Sequence, residues 1–340
     1  PAIRILITPL WGMLADVKHW HRQIFVFCCL GASLVAPFYI FSSTFWAFIA
    51  VQIIFISLRA PLVSIANKLA LEIQEQGNFD FGKSRIYGSI GFTIVAIIGG
   101  NIAKFYGIKV LFIYLSFAFF LLAILSRKLP KSVDTSATKL IDNLTEIANQ
   151  KTLIIFFVTS TLIRTASIAP TSYLSILMDH LGAAEDLTGI SWAIPAIIEI
   201  PIFFYSSKFI KKIGLKQTIF IGFLLTVLQV VFFNFAYHPA IALLGQAARG
   251  FGFSIFYIAG INYVNKKAPA RVKTTCQTLY TAANVGVSAF LGNLIGGSLY
   301  QYFGLYSIYK FALVMGLTGT IIFYFFVLKT PDVNKTNSQL

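Results

Sequence analysis

Two stretches, GGNIAKFYG at residues 99–107 and GGSLYQYFG at residues 296–304, stand 197 positions apart. A looser pair accompanies them: PLWGMLADVKHWHRQ at 9–23 and PIFFYSSKFIKKIGLKQ at 201–217. Paired glycines are common wherever membrane helices pack closely. Here the spacing, the order of the surrounding apolar segments and the basic loops beside them all agree. A period of about 195 residues with matching direction is what two parallel six-helix halves produce.

The composition requires such a setting. The chain has 340 residues, of which 57% are hydrophobic and 11% charged, with 34 Phe. Soluble domains carry about 25% charged residues, so this chain cannot cover itself for water. An apolar helix crosses a bilayer in roughly 20 residues. Spans are expected near 24–42, 45–67, 86–104, 108–126, 152–177, 187–206, 217–236, 240–264, 275–300 and 305–328, after a partial one at 1–15. Applying the period makes 152–177 the seventh helix and leaves the first without a copy. A natural chain longer by roughly 40–45 residues at its N-terminus is therefore expected. The expected organisation is an N-terminal half at 1–126 (helices two to six), a polar basic linker at 127–151, a C-terminal half at 152–328 and a tail at 329–340.

The net charge of +15 divides by location. Twenty of the 27 basic residues fall in segments on one side, among them Lys18, Arg22, Lys83, Arg85, Lys208, Lys211, Lys212, Lys266 and Lys267. Lys104, Lys109 and Lys310 fall on the other. Basic loops mark the cytoplasmic side, so the C-terminus is expected inside a bacterial cell membrane. A topology signal of this kind does not call for nucleic acid. Cys28, Cys29 and Cys276 lie in apolar stretches and read as small core residues.

Four bases remain: Arg4, Arg59, Arg164 and Arg249. At 1.5 Å per residue each lies about 14–20 Å into its helix, near the membrane midplane. All four are Arg in a chain with far more Lys. Arg keeps its charge when buried and grips a carboxylate with a planar fork. A charge at that depth costs at least ~2.5–3.5 kcal/mol, so it faces the interior and finds a partner. Glu199 joins them about 18 Å into its own helix, where burial favours proton uptake. The balance at the midplane is three positive charges, which favours an anionic substrate. Arg164, Arg249 and Arg59, with Tyr173, Gln246 and Tyr257, are the expected substrate contacts, and Glu199 the proton carrier. The alternative is that these Arg cap backbone carbonyls and the polar residues (Gln52, Trp192, Asn262 and Asn284 among them) are packing contacts.

The sequence resembles the major facilitator superfamily over nearly its whole length. Gly12-Met13-Leu14-Ala15-Asp16 with Arg22, and the 207–216 loop, carry the resemblance. More narrowly it is similar to the phenylpropionate-permease and lactose-permease-like branch of proton symporters. The stretch from Phe81-Gly82-Lys83-Ser84-Arg85 to Gly91-Phe92, then Ala196-Ile197-Ile198-Glu199-Ile200-Pro201, and Gly245-Gln246 with Arg249-Gly250 carry that likeness. Val17 and Asn67 depart from the pattern. The resemblance implies an all-helical fold with alternating access about a central site. It also places Arg164 and Arg249 on cavity-lining helices seven and ten. Aromatic acids, sugars or nucleosides are the substrates it suggests, with efflux as the reverse direction. Asp16, ending its helix, is expected to gate the inner side by pairing with a base such as Arg85, or else to be a solvated helix-end charge.

No GxxxxGK[ST] loop is present, so ATP does not drive this chain. His19, His21, His180 and His238 fall in loops on opposite sides and lack metal-ligand spacing. No cofactor, no enzymatic activity and a monomer in the bilayer are expected.

Overall fold

A computed structural model of the protein describes residues 2–75, 81–83, 85–88, 90–91, 94–95, 108–129 and 146–330. Every secondary-structure element among them is helical. Nine helical runs among the described residues are long and apolar enough to cross a bilayer: His21–Phe41, Phe45–Gln74, Lys109–Ser126, Lys151–Ser172, Leu187–Ile213, Leu215–Asn234, Pro239–Lys267, Lys273–Phe303 and Leu305–Leu328. They coincide with nine of the expected spans. The partial span at 1–15 is the 17-residue helix α1, Ala2–Lys18. The stretch 86–104 is described only in part, and the first repeat copy at 99–107 lies outside the described residues, as do 130–145 and 331–340. The second copy ends at Gly304, whose φ of 79° makes the turn into the next helix. That is left-handed backbone, which glycine adopts without a Cβ penalty.

The chain divides into two compact units. Unit 1 contains 1–149 together with 261–290. Its helices are α1, α2 (His21–Val35), α3 (Phe38–Phe41), α4 (Phe45–Arg59), α5 (Leu62–Glu75) and α6 (Ile108–Ser126). The sequence after Ile261 supplies α12 (Lys273–Thr281) and a π-helical turn at Ala282–Val287. α2 lies along α6, and α1 and α5 both pack on α12. Cys28 and Cys29 are fully buried with Ile24, Phe25, Ile65 and Leu69, as small core residues should be. Gly12 permits the approach of α1 to α12, because a Cβ there would overlap the Thr278 side chain.

Unit 2 contains 150–260 and 291–340. It holds α7 (Lys151–Ser172), α8 (Leu174–His180), α9 (Glu185–Ile213), α10 (Leu215–Asn234), most of α11 (Pro239–Lys267), the larger part of α13 (Ser288–Phe303) and α14 (Leu305–Phe323). α14 packs along α7 and α10. Phe233, Leu174, Met178, Ile308 and Tyr309 are buried together near one end. Between α7 and α10, Ser167 Oγ donates to Gln229 Oε1 at 3.0 Å and Gln229 Nε2 donates to Thr171 Oγ1 at 3.2 Å, all buried. A buried amide needs such partners in a medium without water.

Large apolar side chains stand outward on both units; Leu34 is 73% and Trp46 77% exposed on unit 1, and Val314 is 60% exposed on unit 2. Lipid is the solvent that tolerates such a surface.

Candidate functional site

Five of the expected substrate and proton residues meet on one patch of unit 2. α11 turns every 3.6 residues, so Gln246, Arg249, Phe253 and Tyr257 fall on one face at steps of three and four. Gln246 is fully buried and accepts a hydrogen bond from Arg249 Nη1 at 3.3 Å. Its own Nε2 is a buried donor without a hydrogen-bond partner among the described residues. The guanidinium of Arg164, half-buried on α7, sits 4.9 Å from the Phe253 ring centre. Phe253 and Tyr257 are 5.5 Å apart, and Tyr257 lies 6.5 Å from Phe203 of α9. One turn before Phe203, Glu199 is near enough to Arg249 to act on it electrostatically.

Small residues make this convergence sterically feasible. A Cβ at Gly250 would stand 2.9 Å from Pro195 Cα and 3.0 Å from Ile198 Cβ, so α9 and α11 meet at backbone distance beside Arg249 and Glu199. Gly252 does the same towards α10, where a Cβ would be 3.1 Å from the Thr226 nitrogen. Pro195 and Pro201 inside α9 each remove a backbone donor, which loosens the helix around Glu199. The outcome is a patch with two guanidiniums, an unpaired amide donor, an aromatic wall and one carboxylate.

The other expected residues stand elsewhere. Tyr173, nine positions beyond Arg164, faces Gly296 and Gly297 and lies 5.7 Å from Tyr300. Arg59 is on unit 1, the last residue of α4, exposed, with its guanidinium 5.7 Å from the Phe55 ring. The side chain of Arg4 lies outside the described residues. Gln52 accepts the Tyr39 hydroxyl, Gln74 Nε2 donates to Asn262 at 3.3 Å, and Asn284 Nδ2 donates to the Tyr280 carbonyl at 2.9 Å. Gln52, Asn262 and Asn284 therefore each have a hydrogen-bond partner within unit 1.

Unit 1 holds a second polar cluster, centred on Asp16. Asp16 is buried and does not pair with Arg85. Its Oδ2 accepts the Thr275 backbone N–H and, at 2.6 Å, the Thr275 hydroxyl. The carboxylate caps the start of α12, where unpaired N–H groups and the helix dipole attract an anion. Its Oδ1 lies 3.1 Å from His21 Nε2. That nitrogen is also 2.7 Å from Thr274 Oγ1 and 2.9 Å from Lys68 Nζ. Lys68 in turn reaches Glu72 Oε1 at 3.1 Å. His21 and Lys68 are not loop residues: His21 opens α2 at 1% exposure, and Lys68 lies within α5 at 5%. A Lys–Glu pair four residues apart in an apolar stretch was the available sign in the sequence. Arg85 is half-buried in a helical turn of unit 1. Among the described residues no three His, Cys, Asp or Glu side chains group as a metal site.

Comparison with known proteins places these sites in a wider context. The MFS_1 like family pattern matches residues 1–311. The chain is 24% identical to YwbF of Bacillus subtilis (strain 168), a transporter, over 94% of this chain and 80% of that protein. It is 23% identical to a probable 3-phenylpropionic acid transporter of Escherichia coli (strain K12), over 78% of this chain and 72% of the other. Its fold is similar to the crystal structure of the E. coli fucose:proton symporter FucP, with a TM-score of 0.76 at 14% identity, covering 97% of this chain and 90% of that one.

Proposed function

Because the chain belongs to the MFS_1 like family, and is therefore a multi-pass membrane transporter and not an enzyme, we propose that it carries a small organic anion by proton-coupled alternating access. The patch on α11 carries this reading. Arg164 lies against Phe253, one turn from Arg249, and the unpaired Gln246 Nε2 adds a third donor. A buried amide donor without an acceptor suits a ligand rich in lone pairs, and Arg forks suit a carboxylate. The Phe253–Tyr257–Phe203 wall suits an apolar or aromatic body. The E. coli relative named for 3-phenylpropionic acid combines those two features in its substrate.

Glu199 is the proton carrier in this reading, because a carboxyl beside Arg249 can exchange its proton as the anion comes and goes. Arg59 and Tyr173 are further substrate contacts. The halves at 1–126 and 152–328, joined by 127–151, are the moving bodies. The Lys-rich ends face the cytoplasm of a bacterial cell, and Asp16, holding the start of α12, closes that side.

A second reading, a neutral sugar and proton symporter, is favoured by the likeness to FucP and by Glu199 offsetting one of the two Arg charges. Counterflow in proteoliposomes separates the readings. Exchange of labelled 3-phenylpropionate or a sugar acid, but not of fucose, supports the anion; exchange of fucose alone overturns it.

A further inference from the structure

His21 Nε2 has more partners than one nitrogen can satisfy at once. An ammonium has only hydrogens to offer, so contact with Lys68 Nζ at 2.9 Å requires a lone pair on Nε2. The single proton of the neutral ring is then on Nδ1, an atom buried with no hydrogen-bond partner. Asp16 Oδ1 also presents a lone pair, so its 3.1 Å approach to Nε2 lacks a proton in this form. A proton added to Nε2 completes the bond to Asp16. It also sets two cations 2.9 Å apart.

We propose that His21 is a proton-binding site that controls the grip of Asp16 on the start of α12: neutral while the contact is closed, protonated when it opens. The charged groups facing the ring are Asp16 of α1 and Lys68 and Glu72 of α5, with Lys273 of α12 acting on Lys68. Arg22, the next residue of α2, is turned to the carbonyls of Arg127 and Leu129. The four groups sum to zero charge, and the positive end of α12 lies beside them. An imidazolium at 1% exposure therefore leaves an uncompensated buried charge, which water relieves once the cluster opens. The site is separate from Glu199 and does not depend on the cargo. Given the orientation proposed above, the proton comes from the cytoplasm.

Hydrogen–deuterium exchange on the purified full chain, without substrate, tests this at the peptide covering 268–281. After correction for intrinsic exchange, protection there falls by about tenfold, the equivalent of one pK unit of coupling, as pH drops from about 8 to about 5. His21→Gln flattens the profile. Lys68→Met removes the opposing cation, so the closed cluster accepts the protonated ring beside Asp16 and the fall in protection shrinks. A flat wild-type profile, or a His21→Gln profile matching wild type, overturns the proposal. Should His21→Gln not purify folded, a Lys68→Met profile that coincides with wild type overturns it equally.

Discussion

Arg249 has a carboxylate, an amide and a glycine as neighbours, and each sets a different measurable property. Removing its guanidinium deletes a charged hydrogen-bond donor, so Arg249→Ala should weaken anion binding by about 1.5–3 kcal/mol, roughly tenfold to a hundredfold in Kd. Arg249→Lys keeps the charge without the fork and should recover part of that loss. Isothermal titration or substrate-dependent thermal shift measures both; an unchanged Kd in Arg249→Ala and in Arg164→Ala would refute the anion reading. Glu199→Gln leaves a side chain of the same shape that cannot titrate. Counterflow should persist while accumulation driven by an imposed pH gradient disappears. At this scale the sequence was informative where charge and depth conflicted: Arg164, Arg249 and Glu199 stood out because lipid tolerates no idle charge. For His21 and Lys68 it offered only the spacing of Lys68 and Glu72. His21 opens a helix, where that residue type is ordinarily solvated, Lys68 lies within one, and only the fold shows that α12 packs over both.

Helices here approach one another through glycine, and a side chain at those positions has nowhere to go. Gly250→Val would drive a branched side chain into the backbone at Pro195. Overpacking of this kind costs about 1–3 kcal/mol, and it should separate Glu199 from Arg249, so melting temperature and coupled uptake fall together. Gly12→Val meets Thr278 and should loosen α1 from α12, raising exchange at 268–281 at every pH. The helices were legible in the sequence because about 20 apolar residues in a row admit few other structures. The partners of each helix were not. Periodicity tells which face is small, and says nothing of which neighbour fills it. That is why Asp16 was expected to meet Arg85 and instead caps α12.

For the molecule as a whole, the distribution of Lys is a statement about direction that can be checked without knowing the cargo. The native cysteines are fully buried, so background thiol labelling should be low. In right-side-out vesicles an impermeant maleimide should label His238→Cys directly and Lys211→Cys only after permeabilisation. The reverse pattern would invert the proposed orientation. The two compact units divide at 149–150, within the polar stretch 127–151, and 261–290 joins unit 1. Sequence order suggests a tidy pair of halves, whereas packing follows whichever surfaces fit.

That placement of 261–290 has a consequence for how the protein is made. The earlier part of unit 1 leaves the ribosome at residue 149, but its last buried members follow only with residue 290. At about 5–20 residues per second, the nascent chain waits roughly seven to thirty seconds with the α12-facing sides of α1 and α5 unpartnered. During that interval Asp16, His21 and Lys68 lack Thr274 and Thr275 as partners, so insertion machinery or lipid headgroups must shelter them. Fast elongation through 150–290 shortens that exposure, and a pause placed there prolongs it.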